Sequence, residues 1–405
     1  MAENSARVNS SIQITNTQRV LLLITTVFGH CIKHAFSAAF FILIPEIKTS
    51  LGFTNSEVGG LSAIRNVLGG LANLPGGFLA DRFSQSRALI LGVSFACIGI
   101  FAFFLGLSTT FWQIAISSSF MIIAITFWHP AALSALSVRF ADRRGFAISL
   151  HGTGGSIGEA IGPIVTGLLL ASFAWVAVAQ GMIVPSIVLG VFFWLVLRKL
   201  PMQSDVPITT NEYVSSLIEL FANRRLLIVL GLAGGYAAGQ SVFFTFFPIY
   251  MREDIGSSTV EVGIFISLAQ VAGIVAQPLM GYLSDRLGRK AILTPSFLIM
   301  GVSLFGLYVV PASNGVLFLI VIVILGTVLF STMAILLAAA GDLVSSEVQG
   351  TTISLVFGTS IIVAALSPYI GGIFADWYGV KTSFLWASGI VMFTAITAFF
   401  TKWDK

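Results

Sequence analysis

Long apolar runs separated by short polar turns fill the chain. A helix crosses about 30 Å of hydrocarbon in roughly 20 residues. Twelve runs reach that length: 20–45, 57–80, 88–107, 111–136, 145–171, 174–197, 226–250, 259–283, 291–311, 315–340, 350–374 and 383–400. Residues 198–225 break the pattern with Pro201, Asp205, Pro207, Glu212 and Glu219, and read as a linker with a short amphipathic helix at 211–222. The pattern predicts an all-α membrane protein of twelve transmembrane helices.

The runs repeat. Gly77, Asp81 and Arg82 recur 204 residues later as Gly281, Asp285 and Arg286. Upstream, Leu51-Gly52 matches Ile255-Gly256, Glu57-Val58-Gly59 matches Glu261-Val262-Gly263, and Gly69 matches Gly273. A second block follows at an offset of 205, pairing Gly145 with Gly350, Pro163 with Pro368 and Gly167 with Gly372. Duplication on this scale implies two homologous membrane halves with a cavity between them near the midplane. The expected organisation is a tail at 1–18, a six-helix half at 19–197, the linker at 198–225, a second six-helix half at 226–400 and a tail at 401–405.

Composition removes the soluble alternatives. Residues are 56% hydrophobic and 9% charged, against about a quarter charged in soluble domains. Soluble-enzyme, nucleic-acid and zinc-cluster readings lose their basis. Cys31 and Cys97 both fall in apolar runs and read as small packing residues. With the N-terminus inside, sixteen basic residues lie on the inner side and three, Lys48, Arg252 and Lys381, on the outer side. That bias puts both termini and both Asp-Arg turns in the cytoplasm. The protein is then expected in the cytoplasmic (inner) membrane, as a monomer in contact with lipid.

At these motifs the chain resembles the major facilitator superfamily over about 15–400. That family carries Gly-x-x-x-Asp-Arg-x-Gly-Arg-Arg/Lys between helices 2 and 3. Gly281, Asp285, Arg286, Gly288, Arg289 and Lys290 fit it, while the first copy has Ser84 at the glycine position and Arg87 one place late. A second segment, with Gly158, Gly162, Pro163 and Gly167, resembles the helix 5 glycine–proline motif of proton-coupled exporters. The histidine-containing first helix, followed by Pro45 and Leu51-Gly52-Phe53-Thr54, is similar to fosmidomycin-resistance-type exporters and neighbouring small-solute carriers. The resemblance implies the major facilitator fold and alternating access. Asp81, Arg82 and Arg144 in the first half, with Asp285, Arg286 and Arg289 in the second, are then expected to gate the inner side. A carboxylate there can accept from the N-terminus of a helix in the other half; the competing reading of the arginines is topology anchoring.

Ionisable residues inside a span are costly and usually face a cavity. Here they are confined to the first half: His30, Lys33, His34, Arg65, His129, His151 and Glu159. Lys33 lies roughly 20 Å into its helix, and Glu159 is the one acid deep in a span. A Lys33–Glu159 interaction is expected, either as a permanent ion pair or as a pair broken and remade by substrate or proton. Glu159, His34 and His129 are the proton-coupling candidates. Lys33, Arg65 and His30 are substrate-binding candidates, faced by Tyr236, Gln240 and Gln270 in a neutral second half. Arg65 could alternatively pair with Glu57 or Glu46. His30 and His34 lack a third ligand close in sequence, so no metal site is expected, and no cofactor. No Gly-x-x-x-x-Gly-Lys-Ser/Thr pattern is present, which points to an ion gradient for energy.

Three functions follow. The first is proton-coupled efflux, by antiport, of a small organic solute, amphipathic or anionic. The second is proton-coupled import or exchange of small organic anions, suggested by Lys33 and Arg65. The third is a membrane receptor or lipid-handling protein that no longer cycles. Enzyme chemistry has no signature.

Overall fold

The computed structural model describes residues 15–202, 215, 218–344 and 349–403, and excludes the side chains at 74, 81, 141, 349 and 350. Fifteen helices make up the described part: α1 (Asn16–Leu51), α2 (Asn55–Arg82), α3 (Arg87–Leu107), α4 (Phe111–Arg139), α5 (Arg144–Ser172), α6 (Trp175–Gly181), α7 (Ile183–Leu197), α8 (Arg224–Ile249), α9 (Thr259–Leu287), α10 (Arg289–Val309), α11 (Gly315–Leu329), α12 (Thr332–Gly341), α13 (Gln349–Ala364), α14 (Leu366–Tyr378) and α15 (Thr382–Phe400). Three expected spans, 174–197, 315–340 and 350–374, are each two helices, parted at Met182, at Phe330 and Ser331, and at Ala365. Of the linker helix expected at 211–222, the described part at 218–222 is helical; the rest lies mostly outside the described residues.

Eleven helical segments among the described residues are long and apolar enough to cross a membrane. α2 has 28 residues, about 42 Å of helix, but it carries Glu57, Arg65, Asn66 and Asn73. Large apolar side chains such as Val275, Val316 and Phe400 lie bare on outer helix faces, which a lipid surrounding accepts.

Helix packing follows one scheme twice. α1 packs on α5, α2 on α4, and α3 on α4 and α7; likewise α8 packs on α13, α9 on α11, and α10 on α11 and α15. The first seven helices and the last eight meet where α2 crosses α13 and α14, and where α5 crosses α9. The repeated glycines and prolines sit at those crossings. A Cβ on Gly59 would lie 2.2 Å from the Pro368 carbonyl oxygen, and one on Gly263 would lie 2.5 Å from that of Pro163. Added at Gly372 or Gly167, it would meet the carbonyl oxygen of Asn55 or Thr259 at 2.4 Å.

The turns before α2 and α9 also repeat. Gly52 and Gly256 adopt φ of +69° and +75°, a conformation that suits glycine. Thr54 with Glu57, and Ser258 with Glu261, then form capping boxes. The Asp-Arg turns differ. Gly288 has φ +97°, while the first copy closes through a 3-10 turn over Ser84–Ser86, where no residue needs positive φ. Serine is therefore accommodated there.

The two ends of the bundle are tied differently. At the basic end, which carries the Asp-Arg turns, Arg19 pairs with Asp142 at 3.1 Å and Arg289 with Asp342 at 2.9 Å. Both pairs stay within one set of helices. At the opposite, far end the ties cross between sets. Lys48 meets Glu253 at 2.7 Å and Arg252 meets Glu46 at 2.8 Å. Asp376 of α14 accepts from the Asn55 and Ser56 backbone N–H groups at 2.7 and 2.9 Å, at the N-terminus of α2.

Candidate functional site

The site is set by how closely α5 approaches α1. Gly154, Gly158 and Gly162 recur every four residues, and Cβ atoms there would meet backbone at Val27, Cys31 and Ala35, the last two contacts as near as 1.9 and 2.7 Å. This ridge of small residues lets the two backbones touch. It carries Glu159 to the His30–His34 face of α1. His129 enters from α4, one residue before Pro130.

Five side chains then form one chain of contacts. Lys33 Nζ lies 3.0 Å from His129 Nδ1, and His129 Nε2 is 2.9 Å from His30 Nε2. His30 Nε2 is 3.0 Å from His34 Nε2, and His34 Nδ1 is 2.8 Å from Glu159 Oε1. The His30 and His151 rings stack at 3.9 Å. Lys33 is fully buried, whereas the Glu159 side chain is 37% exposed. Its other oxygen accepts from the Gln270 amide of α9, so the carboxylate joins the two sets of helices.

The His151 carbonyl, 2.7 Å from His30 Nδ1, accepts from it, which leaves His30 Nε2 as the ring's free nitrogen. His34 Nε2 at 3.0 Å and His129 Nε2 at 2.9 Å both stand against that one nitrogen.

His30, His34 and His129 also bring three nitrogens within 4.8 Å of one another. His129 is the third nitrogen that spacing along the chain hides. Convergence of this kind can hold a transition metal, but here the Lys33 ammonium already stands against His129.

Other expected positions are placed as follows. Lys33 meets His129, and the partners of Glu159 are His34 and Gln270. The expected Lys33–Glu159 ion pair is therefore absent among the described residues. Arg65 is buried in the first set, its guanidinium 3.5 Å from the centre of the Phe40 ring and its Nε 3.5 Å from the Ser118 carbonyl. Neither acid expected beside it is there: Glu46 pairs with Arg252 and Glu57 caps α2. Gln240 donates to the Tyr236 hydroxyl at 2.9 Å and, like that hydroxyl, to the Leu329 carbonyl. Both are thus engaged within the last eight helices. A cavity of about 70 Å³ lies between the sets, lined by Ser37, Phe41, Glu159, Pro163, Phe244 and Gln270.

Of the gating residues, Arg289 binds Asp285 and Asp342 on its own side. Arg82 and Arg286 lie over Phe83 and Tyr282, and Arg144 is exposed. The Asp81 side chain falls outside the described residues. The reach of a carboxylate to a helix N-terminus in the other set, expected of Asp81, is made at the far end by Asp376. Sequence reading passed over Asp376 and Glu253, and offered Glu46 to Arg65 rather than to Arg252. The available signal was the rarity of outer basic residues, since two of the three, Lys48 and Arg252, stand opposite those glutamates.

Comparison with known proteins agrees with this geometry. The family model described as Major Facilitator Superfamily matches residues 26–359 and again 232–405. The fosmidomycin resistance protein of Escherichia coli (strain K12) is 22% identical over 358 residues, 86% of this chain and 84% of that protein. The multidrug resistance protein MdtG of Escherichia coli O1:K1 / APEC is 26% identical over 383 residues, covering 89% of this chain and 90% of MdtG. A solved bacterial homologue of the human lysosomal transporter Spinster, inward-facing and unoccupied, superposes with a TM-score of 0.82 at 15% identity, over 95% of this chain and 97% of that one. The chain belongs to the Major Facilitator Superfamily and is a multi-pass secondary transporter of a small solute, not an enzyme.

Proposed function

We propose that the protein exports a small organic solute in exchange for protons. Its twelve spans include α2 and form two six-helix halves, 19–197 and 226–400, joined by the linker at 198–225. The repeated packing scheme supports the halves. The basic bias of the Asp-Arg end supports a cytoplasmic location for that end and for both termini, in the inner membrane, with the protein acting as a monomer.

The observation that carries the reading is the double engagement of Glu159. One oxygen faces the histidine chain and the other accepts from Gln270 across the interface between the halves. A proton arriving on Glu159 neutralises the carboxylate, weakening its hold on both His34 and Gln270. Loss of these two contacts biases the choice between two packings of the same helices. In the arrangement described, the far end is tied across the halves and Glu159 is placed to accept from His34 and Gln270. That is the state expected once the proton has left toward the inside, ready to accept solute from the cytoplasm. Likeness to the fosmidomycin and multidrug resistance proteins named above favours export over import.

The alternative is import or exchange of small organic anions. Lys33 favours it, but the burial of Arg65 against Phe40 removes one of its two cations from the cavity.

The test is uptake into proteoliposomes over a panel of solutes under imposed pH gradients. Glu159→Gln is expected to abolish gradient-driven accumulation while leaving solute exchange. Full accumulation by that variant would rule out the coupling role.

A further inference from the structure

Three imidazoles converge where α1 meets α4. Nε2 of His34 and Nε2 of His129 stand 3.0 and 2.9 Å from Nε2 of His30. The opposite nitrogens of two of these rings are held from behind. His34 Nδ1 is 2.8 Å from the Glu159 carboxylate, and His30 Nδ1 is 2.7 Å from the His151 carbonyl. Carboxylates and backbone carbonyls are the partners that orient a metal-ligating imidazole through its far nitrogen. The His151 ring lies 3.9 Å from that of His30 and within 7° of parallel, which fixes the plane of His30. Nitrogens about 2.0–2.1 Å from a tetrahedral ion stand roughly 3.3 Å from one another. The two short contacts therefore need to open by only a few tenths of an ångström.

We propose that His30, His34 and His129 bind one divalent transition cation through Nε2, and that this ion and Lys33 exclude each other. A set of imidazole nitrogens suits Zn²⁺, Ni²⁺ or Cu²⁺ rather than Mg²⁺ or Ca²⁺, and three such ligands leave a fourth position for water. Lys33 Nζ is 3.0 Å from both ring nitrogens of His129, so it stands beside the nitrogen that the ion needs. Its ammonium repels a divalent ion, and its donation to Nδ1 places the ring hydrogen of His129 on Nε2. Binding therefore displaces Lys33 from His129. An occupied site joins α1 to α4 through the ion and keeps His34 on Glu159. It rests on the geometry of the histidines and not on the export reading.

The chain has four histidines, and all of them belong to this cluster, so an imidazole signature on a bound ion reports this site alone. Untagged full-length protein loaded with one equivalent of Cu²⁺ should show imidazole nitrogen in pulsed electron paramagnetic resonance. Calorimetric titration with Zn²⁺ should reveal one site. His34→Gln and His129→Gln should each weaken Zn²⁺ binding by more than about tenfold, and Glu159→Gln, which removes the charge behind His34, by about tenfold. Lys33→Met should tighten Zn²⁺ binding about tenfold through loss of the opposing charge, a gain that a misfolded variant does not produce. Zn²⁺ should also raise the melting temperature of the parent but not that of His129→Gln. Absence of the imidazole signal, or parent-like Zn²⁺ affinity in either histidine variant, would overturn the site. Unchanged or weaker binding in Lys33→Met would overturn the exclusion by Lys33. These are equilibrium measurements without transport, so neither failure bears on Glu159 as a coupling residue.

Discussion

Glu159 is the residue at which histidine chain and helix interface converge, and its partners explain one difference between sequence and structure. Lys33 and His34 are adjacent on a helix and so point about 100° apart. Both cannot face α5. His34 shares a face with His30 four residues earlier, and that face turns to Glu159, leaving Lys33 to meet His129 on α4. The cluster's members were legible as costly residues in a span; their pairing depended on helix rotation, which composition does not encode. The pair makes a testable statement. His34→Gln and Glu159→Gln should each lower thermal stability, and the double variant should lose less than the sum. A coupling of about 1–3 kcal/mol is expected for groups in direct contact. Strict additivity in a double-mutant cycle would show that the 2.8 Å contact carries no energy.

Among elements, α5 shows how much a glycine pattern can specify. The resemblance to an exporter motif marked Gly158, Gly162, Pro163 and Gly167, but the physical content divides between two faces. Gly158 and Gly162 let α5 touch α1, while Pro163 and Gly167 meet α9. Gly158→Ala would place a Cβ 1.9 Å from the Cys31 carbonyl oxygen. Overpacking of this kind costs about 1–3 kcal/mol and pushes Glu159 away from His34. Reduced thermal stability together with lost transport is expected. Gly152→Ala, where nothing lies within 4 Å, should leave both intact or slightly raise stability. Equal behaviour of the two variants would mean that the close approach of α1 and α5 is unimportant. The breaks at Met182, Phe330 and Ala365 were invisible in the sequence for a different reason. Apolar residues continue through them, and hydropathy measures length in lipid rather than helix continuity. By contrast, Gly52 and Gly256 with their capping boxes were legible as repeats because turn chemistry is local.

At the scale of the molecule the ends are unequal among the described residues: ties cross between the sets at the far end, whereas the described ion pairs at the basic end stay within them. The duplicated Asp-Arg turn was the plainest feature of the sequence, yet in this arrangement Arg289 and Asp285 serve only their own side. Such a turn is expected to belong to a moving device, but one sequence serves at least two packings and does not specify which is occupied. Lys48 and Glu253, with side chains 12% and 31% exposed, are screened from water enough to bias that choice. Lys48→Glu sets like charges together and should shift the population toward an open far end. A change of about 1.4 kcal/mol moves the ratio of states tenfold. Spin labels at Thr109 and Ser313, in a background with Cys31 and Cys97 replaced by serine, should report a longer distance component in Lys48→Glu. Adding Glu253→Lys restores the attraction with its direction reversed and should return the distance distribution to that of the parent. If the single reversal leaves the distances unchanged, the pair ornaments a closure held by the helix crossings at Gly59 and Gly263. If the double variant fails to restore them, the effect of Lys48→Glu lies outside this pair.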